Sequence, residues 1–244
     1  MKIALIGYGK MGRAIESIAI ERGHDIVLKI SVDNLGDITA ENLKQADVAI
    51  EFTGPESAVA NIEKCFAAHV PVVCGSTGWL KHLPEVQATV EKQKAGFLYA
   101  SNFSLGVNIF FEVNTLLAKL MARQKDYTVL LKEIHHTAKL DAPSGTAISL
   151  AQQILGENSN KKNWYSITDL AEIDQKDQAI PILSERIDPA PGTHSIVYSS
   201  GIDDIEITHT AHNRKGFALG AVIAAEFLAG KKGIYTMKDV LQLN

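Results

Sequence analysis

The chain opens on KIALIGYGKMG, a short apolar run that passes into three glycines spaced G-x-G-x-x-G, at Gly7, Gly9 and Gly12. No other stretch limits the fold as tightly. The apolar run reads as a buried strand. GRAIESIAIERG after it has helical spacing: Ile15, Ile18 and Ala19 share a face, and Gly23 ends it. A second strand, DIVLKISVD, follows. In this setting Gly7 permits a tight turn, Gly9 lets the backbone approach a pyrophosphate, and Gly12 lets the helix pack closely. The helix N-terminus offers free N–H groups and a positive dipole end to phosphates. Asp33 lies 21 residues beyond Gly12, near the spacing of a carboxylate that binds a ribose diol. An ordinary βα turn and a solvated strand-end carboxylate remain open on these residues alone.

The alternation continues for about a hundred residues. DVAIEFT, VPVVCGSTG and GFLYASN read as strands, and ESAVANIEKCFAAH and PEVQATVEKQKA as helices. Strands alternating with helices predict βαβ units and a Rossmann-like parallel sheet. GSTG and ASNFS fall at C-terminal ends of strands, the edge where open α/β sheets bind ligands.

After about Leu105 the pattern changes. DYTVLLKEIHH alternates only partly, and HSIVYSSGIDDIEITHTA reads as two strands turned around Ser200 and Gly201. Without intervening helices, this part is expected to be α+β with a mixed or antiparallel sheet. Between them, GENSNKKNWYSITDLAEIDQKDQAIP is polar and without clear period, and is expected to be a mobile surface connection.

EIHHTAKLDAPSGTA, from Glu133 to Ala147, concentrates cationic and proton-transferring chemistry. If the strand from Tyr127 reaches His136, His135 and His136 point to opposite faces and cannot do the same job. DAPSGTAISLAQQIL then reads as a loop feeding a helix. Ser144 is its N-cap, and Ile148, Ala151, Ile154 and Leu155 form an apolar stripe. Gly145 and Thr146 stand in the first turn, where backbone N–H groups are expected to bind an anion. A helix terminus, the cation of Lys139 and two groups titrating near neutrality suit a small substrate bearing carboxylates.

Several classes are disfavoured. Net charge is -4, with 24 basic against 28 acidic residues, which argues against a nucleic-acid partner. No apolar stretch reaches the ~18 residues needed to span a bilayer. GFALGAVIAAEFLAG is short and holds Glu226, so it reads as a buried helix. The N-terminal apolar run is too short for a signal peptide. Cys65 and Cys74 form no CxxC pair, and a cytoplasmic location follows as the default. Cys74 lies in an apolar strand, where burial is favoured over nucleophilic work. HTAH, at His209 to His212, stands without H-E-x-x-H or a Cys/His ligand set, so no metal is expected.

These motifs together resemble the dihydrodipicolinate reductase family over nearly the whole chain. EIHHTAKLDAPSGTA is similar to its signature E-x-H-H-x-x-K-x-D-A-P-S-G-T-A, and GSTG, NFSLGVN and EITHTAHNRKGFALGAVIAAEFL add to the likeness. The resemblance implies an NAD(P)H-dependent reduction of a cyclic imine dicarboxylate derived from 4-hydroxy-tetrahydrodipicolinate, in lysine and diaminopimelate biosynthesis. It implies that His135 is proton donor or acceptor and Lys139 proton donor. It places His136, Ser144, Gly145 and Thr146 at the substrate. Gly7, Tyr8, Gly9, Lys10, Met11, Gly12 and Asp33 match the dinucleotide site. Gly75, Ser76, Thr77, Ser101, Asn102, Phe103 and Ser104 match segments beside the nicotinamide. It also implies a homotetramer, with 1–104 and 216–244 as the dinucleotide-binding domain and 105–215 as the substrate-binding and oligomerisation domain.

The sequence departs from the family in two places. The glycine loop is one residue shorter than the usual G-x-x-G-x-x-G. Asn34 stands where some members carry an arginine that serves a 2'-phosphate, so NADH is expected to serve at least as well as NADPH. Two other functions share the nucleotide fold: a homoserine or meso-diaminopimelate dehydrogenase, and a non-enzymatic NAD(H) sensor. Neither needs the combination of His135, His136, Lys139 and Pro-Ser-Gly-Thr.

Overall fold

The computed structural model describes residues 1–173, 178–213 and 215–243. Along the chain run β1 (Lys2–Ile6), α1 (Lys10–Glu21), β2 (Asp25–Ile30), α2 (Ala40–Leu43) and β3 (Val48–Glu51). Next come α3 (Ala58–Ala67), β4 (Val72–Cys74), α4 (Leu83–Gln93) and β5 (Gly96–Tyr99). A second run holds α5 (Leu105–Met121), β6 (Thr128–His135), α6 (Gly145–Glu157) and β7 (Asn163–Ile167), then β8 (Ala179–Arg186), β9 (Thr193–Ser199) and β10 (Asp204–Thr210). The chain closes on α7 (Lys215–Leu228), β11 (Gly233–Tyr235) and α8 (Met237–Leu241). It divides into two compact units, 1–105 with 215–244, and 106–214.

The first unit holds a six-stranded sheet in the order β11-β5-β4-β3-β1-β2, with every pair parallel. Both faces are covered, which is why its strands read as unbroken apolar runs. Ala4, Ile6, Ala49, Val72 and Phe97 belong to one core cluster. Leu5, Ile50, Val73 and Leu98 pack in another, against Ala218, Ala221, Val222 and Ala225 of α7. Each fully buried Val, Leu or Ile side chain contributes roughly 1.5–3 kcal/mol. The apolar C-terminal segment is thus a buried helix of this unit. A Cβ at Gly220 would sit 1.7 Å from the Phe103 carbonyl oxygen, so only glycine lets α7 approach that backbone. No helix among the described residues is long and apolar enough to cross a membrane.

The second unit holds a mixed five-stranded sheet, β10-β9-β6-β8-β7. β6 lies at its centre, antiparallel to β9 and parallel to β8. Burial alternates along β6: Val129, Leu131, Glu133 and His135 are buried, while Leu130, Lys132 and Ile134 are half-buried. Phe110, Ala118 and Met121 of α5, with Leu150, Ala151 and Ile154 of α6, join Leu131, Ile182 and Ile196 in one core. On α6 the buried residues are Ala147, Leu150, Ala151 and Ile154, so the expected stripe is rotated: Ile148 and Leu155 are only partly covered.

Two expectations change. The polar stretch after α6 is not without regular structure, because Asn163–Ile167 forms β7 and pairs with β8. Its pattern is weak because it is an edge strand in which only Ile167 is buried. Residues 174–177 of that stretch lie outside the described residues. The long helix α5 has no counterpart in the sequence reading. Val107, Phe110, Asn114, Ala118 and Met121 are its buried stripe, but Ile109, Val113, Leu116 and Leu120 are exposed and also apolar, which blurs the helical period.

Candidate active site

The glycine loop carries out its chemistry by lacking side chains. Gly7 has φ +100°, and a Cβ there would sit 1.9 Å from the Phe52 carbonyl oxygen. A Cβ at Gly12 would meet the Gly7 carbonyl oxygen at 2.5 Å. Gly9 is the N-cap of α1, makes no side-chain cap bond, and has open space where its Cβ would point. The terminus of α1 is therefore an uncapped cradle that fits a pyrophosphate. Tyr8 donates to Glu16, and Lys29 Nζ lies 3.2 Å from the same carboxylate. Lys10 is exposed and Met11 half-buried.

Asp33 is exposed just beyond β2, with Oδ2 accepting from Ser31 Oγ at 3.4 Å. Asn34 is occupied by the loop itself: its Oδ1 accepts from Ser31 N–H at 2.7 Å and its Nδ2 donates to the Lys29 carbonyl at 2.9 Å.

The turns after β4 and β5 carry the other expected cofactor residues. Gly75 is fixed by packing, since a Cβ would lie 2.2 Å from the Phe52 ring. Ser76 is buried and faces inward: Oγ accepts from Thr53 N–H at 2.8 Å and its carbonyl accepts from Trp79 Nε1 at 2.8 Å. Thr77 and Ser101 are exposed. Asn102 Oδ1 accepts from Ser104 N–H at 2.9 Å, which shapes that turn. Both Phe103 and Ser104 are buried, and Phe103 is a core residue whose ring lies 5.6 Å from that of Phe52. Cys74 is buried in the core as expected, and it also donates to the buried Glu51 at 3.1 Å. Burial, with the Glu51 charge beside it, pushes the thiol far up, which makes it a poor nucleophile.

In the second unit the sheet register assembles a buried charge network. Glu133 is opposite His194 on β9, and His135 is opposite Arg186 on β8. The Glu133 carboxylate is wholly buried. It accepts from Ser144 N–H at 3.0 and 3.2 Å and from Arg186 Nη2 at 3.3 Å. His135 Nδ1 lies 3.6 Å from it and His194 Nε2 3.7 Å. Ser144 is the N-cap of α6, and its Oγ accepts from Ala147 N–H at 3.2 Å. That oxygen also bonds His194 Nε2 at 3.1 Å. Ser144 is therefore committed inside the protein, while Gly145 is exposed and has open space at its Cβ position.

The loop after β6 carries the cation. Lys139 Nζ bonds both oxygens of Asp141 at 2.8 Å. Arg186 braces this loop through the carbonyls of Lys139 at 3.3 Å and Asp141 at 2.6 Å. β6 ends at His135, so the strand stops one residue short of His136, which follows it half-buried.

The charges set the proton affinities. Burial alone raises the Glu133 carboxyl, but bonds from Ser144 outweigh it and hold it below the usual carboxylate range. Burial lowers His135, Lys139 and Arg186 lower it further, and Glu133 and Asp141 oppose them. His194 falls to about 4, chiefly through burial and then the charge of His135. Glu133, His135 and His194 bring ligand-type atoms within 4.8 Å of one another. With a guanidinium on the same carboxylate and Ser144 on His194, the arrangement is a proton network rather than a cation site.

Sequence reasoning passed over Glu51, Glu133, Arg186 and His194. Strand alternation alone could have placed Glu133 beside His135. The other three have no local signal.

Comparison with known proteins agrees along the full length. Residues 1–103 match the family model described as Dihydrodipicolinate reductase, N-terminus, and residues 106–241 that described as Dihydrodipicolinate reductase, C-terminus. The chain is 52% identical to the 4-hydroxy-tetrahydrodipicolinate reductase of Christiangramia forsetii, covering 99% of this chain and 98% of that one. It is 31% identical to the protein of the same description from Neisseria gonorrhoeae, covering 100% of this chain and 98% of that one. Among solved structures, the dipicolinate-bound dihydrodipicolinate reductase from Paenisporosarcina sp. TG-14 superposes with a TM-score of 0.78 at 23% identity, covering 97% of each chain, a likeness of fold.

Proposed function

The chain belongs to the dihydrodipicolinate reductase family, and from that premise we propose how its own residues divide the work. It is an oxidoreductase that reduces 4-hydroxy-tetrahydrodipicolinate with NAD(P)H in lysine biosynthesis. The assignment below rests on one observation above all. Within one unit, a buried histidine, a lysine-bearing loop and an open helix terminus are tied together by Glu133 and Arg186.

Residues 106–214 form the substrate domain, and 1–105 with 215–244 the dinucleotide domain. The backbone N–H groups of Gly145 and Thr146 hold a substrate carboxylate, helped by the α6 dipole. His136 binds the same dicarboxylate. Ser144 acts indirectly, by capping and fixing that terminus. Loss of water from the 4-hydroxy compound leaves a cyclic, conjugated imine, and the nicotinamide, when bound, would supply the hydride taken up at its C4. The reduced ring needs a proton, which His135 and Lys139 supply.

Gly7 to Gly12 hold the pyrophosphate and Asp33 the ribose diol. The turns Gly75 to Thr77 and Ser101 to Ser104 flank the nicotinamide, with Ser76, Phe103 and Ser104 shaping the turns from within. NADH serves at least as well as NADPH, because Asp33 repels a 2'-phosphate, Asn34 is bound into its loop and Lys29 is paired with Glu16. The exposed apolar stripe Ile109, Val113, Leu116 and Leu120 supports self-association, read as a homotetramer. A cytoplasmic location fits the two buried free thiols.

The test couples the protein to a synthase that makes its substrate and follows NADH absorbance. His135→Gln and Lys139→Met should each lose turnover while retaining NADH binding. Full turnover in either variant removes that residue from the mechanism.

A further inference from the structure

We infer that Glu133 is a positioning residue for the reduction: its single buried carboxylate anchors the α6 terminus and fixes which nitrogen of His135 faces the work. This rests on the reading of His135 as proton donor.

An ionised carboxylate only accepts hydrogen bonds. Glu133 uses that property on two sides. Towards α6, both its oxygens take the Ser144 N–H, at 3.0 and 3.2 Å, directly before the exposed Gly145. Towards β6, Oε2 lies 3.6 Å from His135 Nδ1. That nitrogen is buried and has no hydrogen-bond partner at this distance. The charged group beside it is an acceptor, the Glu133 carboxylate, so the proton of the neutral ring belongs on Nδ1. Nε2 is then the nitrogen that gains and gives the proton. Its surroundings agree: a Cβ at Gly192 would stand 3.1 Å from Nε2, so glycine there keeps that edge clear.

The groups facing His135 come from three strands and a loop. They are Glu133 on its own strand, His194 on β9 with its ring 5.1 Å away, Arg186 on β8, and Lys139 with Asp141 in the loop after β6. Two of these are cations that disfavour a charged ring, and His194 adds to them if it is protonated. Glu133 is the buried anion that opposes them. Arg186 neutralises only part of its effect, because the guanidinium contacts Oε1 while His135 faces Oε2. Removing the carboxylate charge should therefore lower the proton affinity of His135, and the fall of kcat/KM with rising pH should move to lower pH.

The experiment is an NMR titration of the histidine ring nitrogens in the full-length protein, with His135→Gln used to assign the His135 signals. In the unmodified protein, neutral His135 should carry its proton on Nδ1. In Glu133→Gln its midpoint should drop by about one unit or more, the scale for losing an opposite charge at this range. The kcat/KM profile should shift the same way. A proton on Nε2 in the unmodified protein would overturn the inference, and that measurement does not depend on Glu133→Gln folding. An unmoved midpoint in Glu133→Gln, with turnover lost in His135→Gln, overturns the role of Glu133 alone. Full turnover in His135→Gln removes the donor reading, and this role falls with it.

Discussion

The glycine loop and the β6–α6 segment are the two helix N-termini proposed to take an anion, and they are built in opposite ways. At α1 the cap is Gly9, with no side-chain bond and nothing where a Cβ would point. At α6 the cap is Ser144, buried, with its hydroxyl spent on Ala147 and its N–H held by Glu133. The first cradle is made by leaving side chains out. The second is held by a buried charge network. A pyrophosphate needs backbone and room, and little else. A site that must also move a proton needs charges whose mutual distances are fixed.

If that contrast holds, damage to the two regions should separate. The largest effect is expected for the proton-handling pair in the second unit. His135→Gln and Lys139→Met should each slow turnover by roughly 10²–10⁴-fold, with NADH affinity retained. If both serve one proton-transfer step, their double variant should be far from additive. Additive losses in steady-state kinetics would split the pair into separate roles.

Next come the glycines. A valine at Gly7 would place Cβ 1.9 Å from a carbonyl oxygen at φ +100°. Strain of this kind costs about 1–3 kcal/mol before the clash is counted, so thermal stability and NADH binding should both fall. At Gly145 a Cβ would meet no protein atom within 4 Å, so Gly145→Val should melt close to the unmodified protein. Calorimetry that found equal losses at the two positions would break the comparison.

Acid sensitivity should belong to the second unit. His194 is held near a pKa of about 4 against an ordinary 6.5, mainly by burial. The folded state keeps it neutral while the unfolded chain takes up a proton. Its share of stability is therefore complete above pH ~6.5 and drains as pH falls towards 4, by about 3 kcal/mol at most. His194→Gln should lose less melting temperature between pH 7 and pH 5 than the unmodified protein. An equal loss would place the acid-sensitive group elsewhere.

The smallest effect concerns the cofactor. NADH should match or exceed NADPH in kcat/KM at moderate salt. A tenfold NADPH preference, about 1.4 kcal/mol, would contradict the reading of Asp33 and Asn34.

The same contrast explains what the sequence could disclose. The strand–glycine–helix unit is local, so the tight turn at Gly7 and the close approach at Gly12 appear in the fold as their spacing implied, and Gly9 leaves open space at the start of α1. The cap at Ser144 is local too. Arg186 and His194 are not. They reach Glu133 and His135 only through the pairing of β8 and β9 with β6, 51 and 61 residues apart along the chain. A single sequence does not state strand register between such distant segments. β7 and α5 escaped for a different reason: one is an edge strand with one buried residue, and the other is apolar on two faces.

The most direct test of the division between the two regions is thermal denaturation with pyridine-2,6-dicarboxylate, a planar dicarboxylate, in the presence of NADH. The account predicts that the dicarboxylate raises the melting temperature of the unmodified protein and not that of Gly145→Val, while NADH alone raises both equally. A Gly145→Val protein that kept the dicarboxylate shift but lost the NADH shift would contradict it.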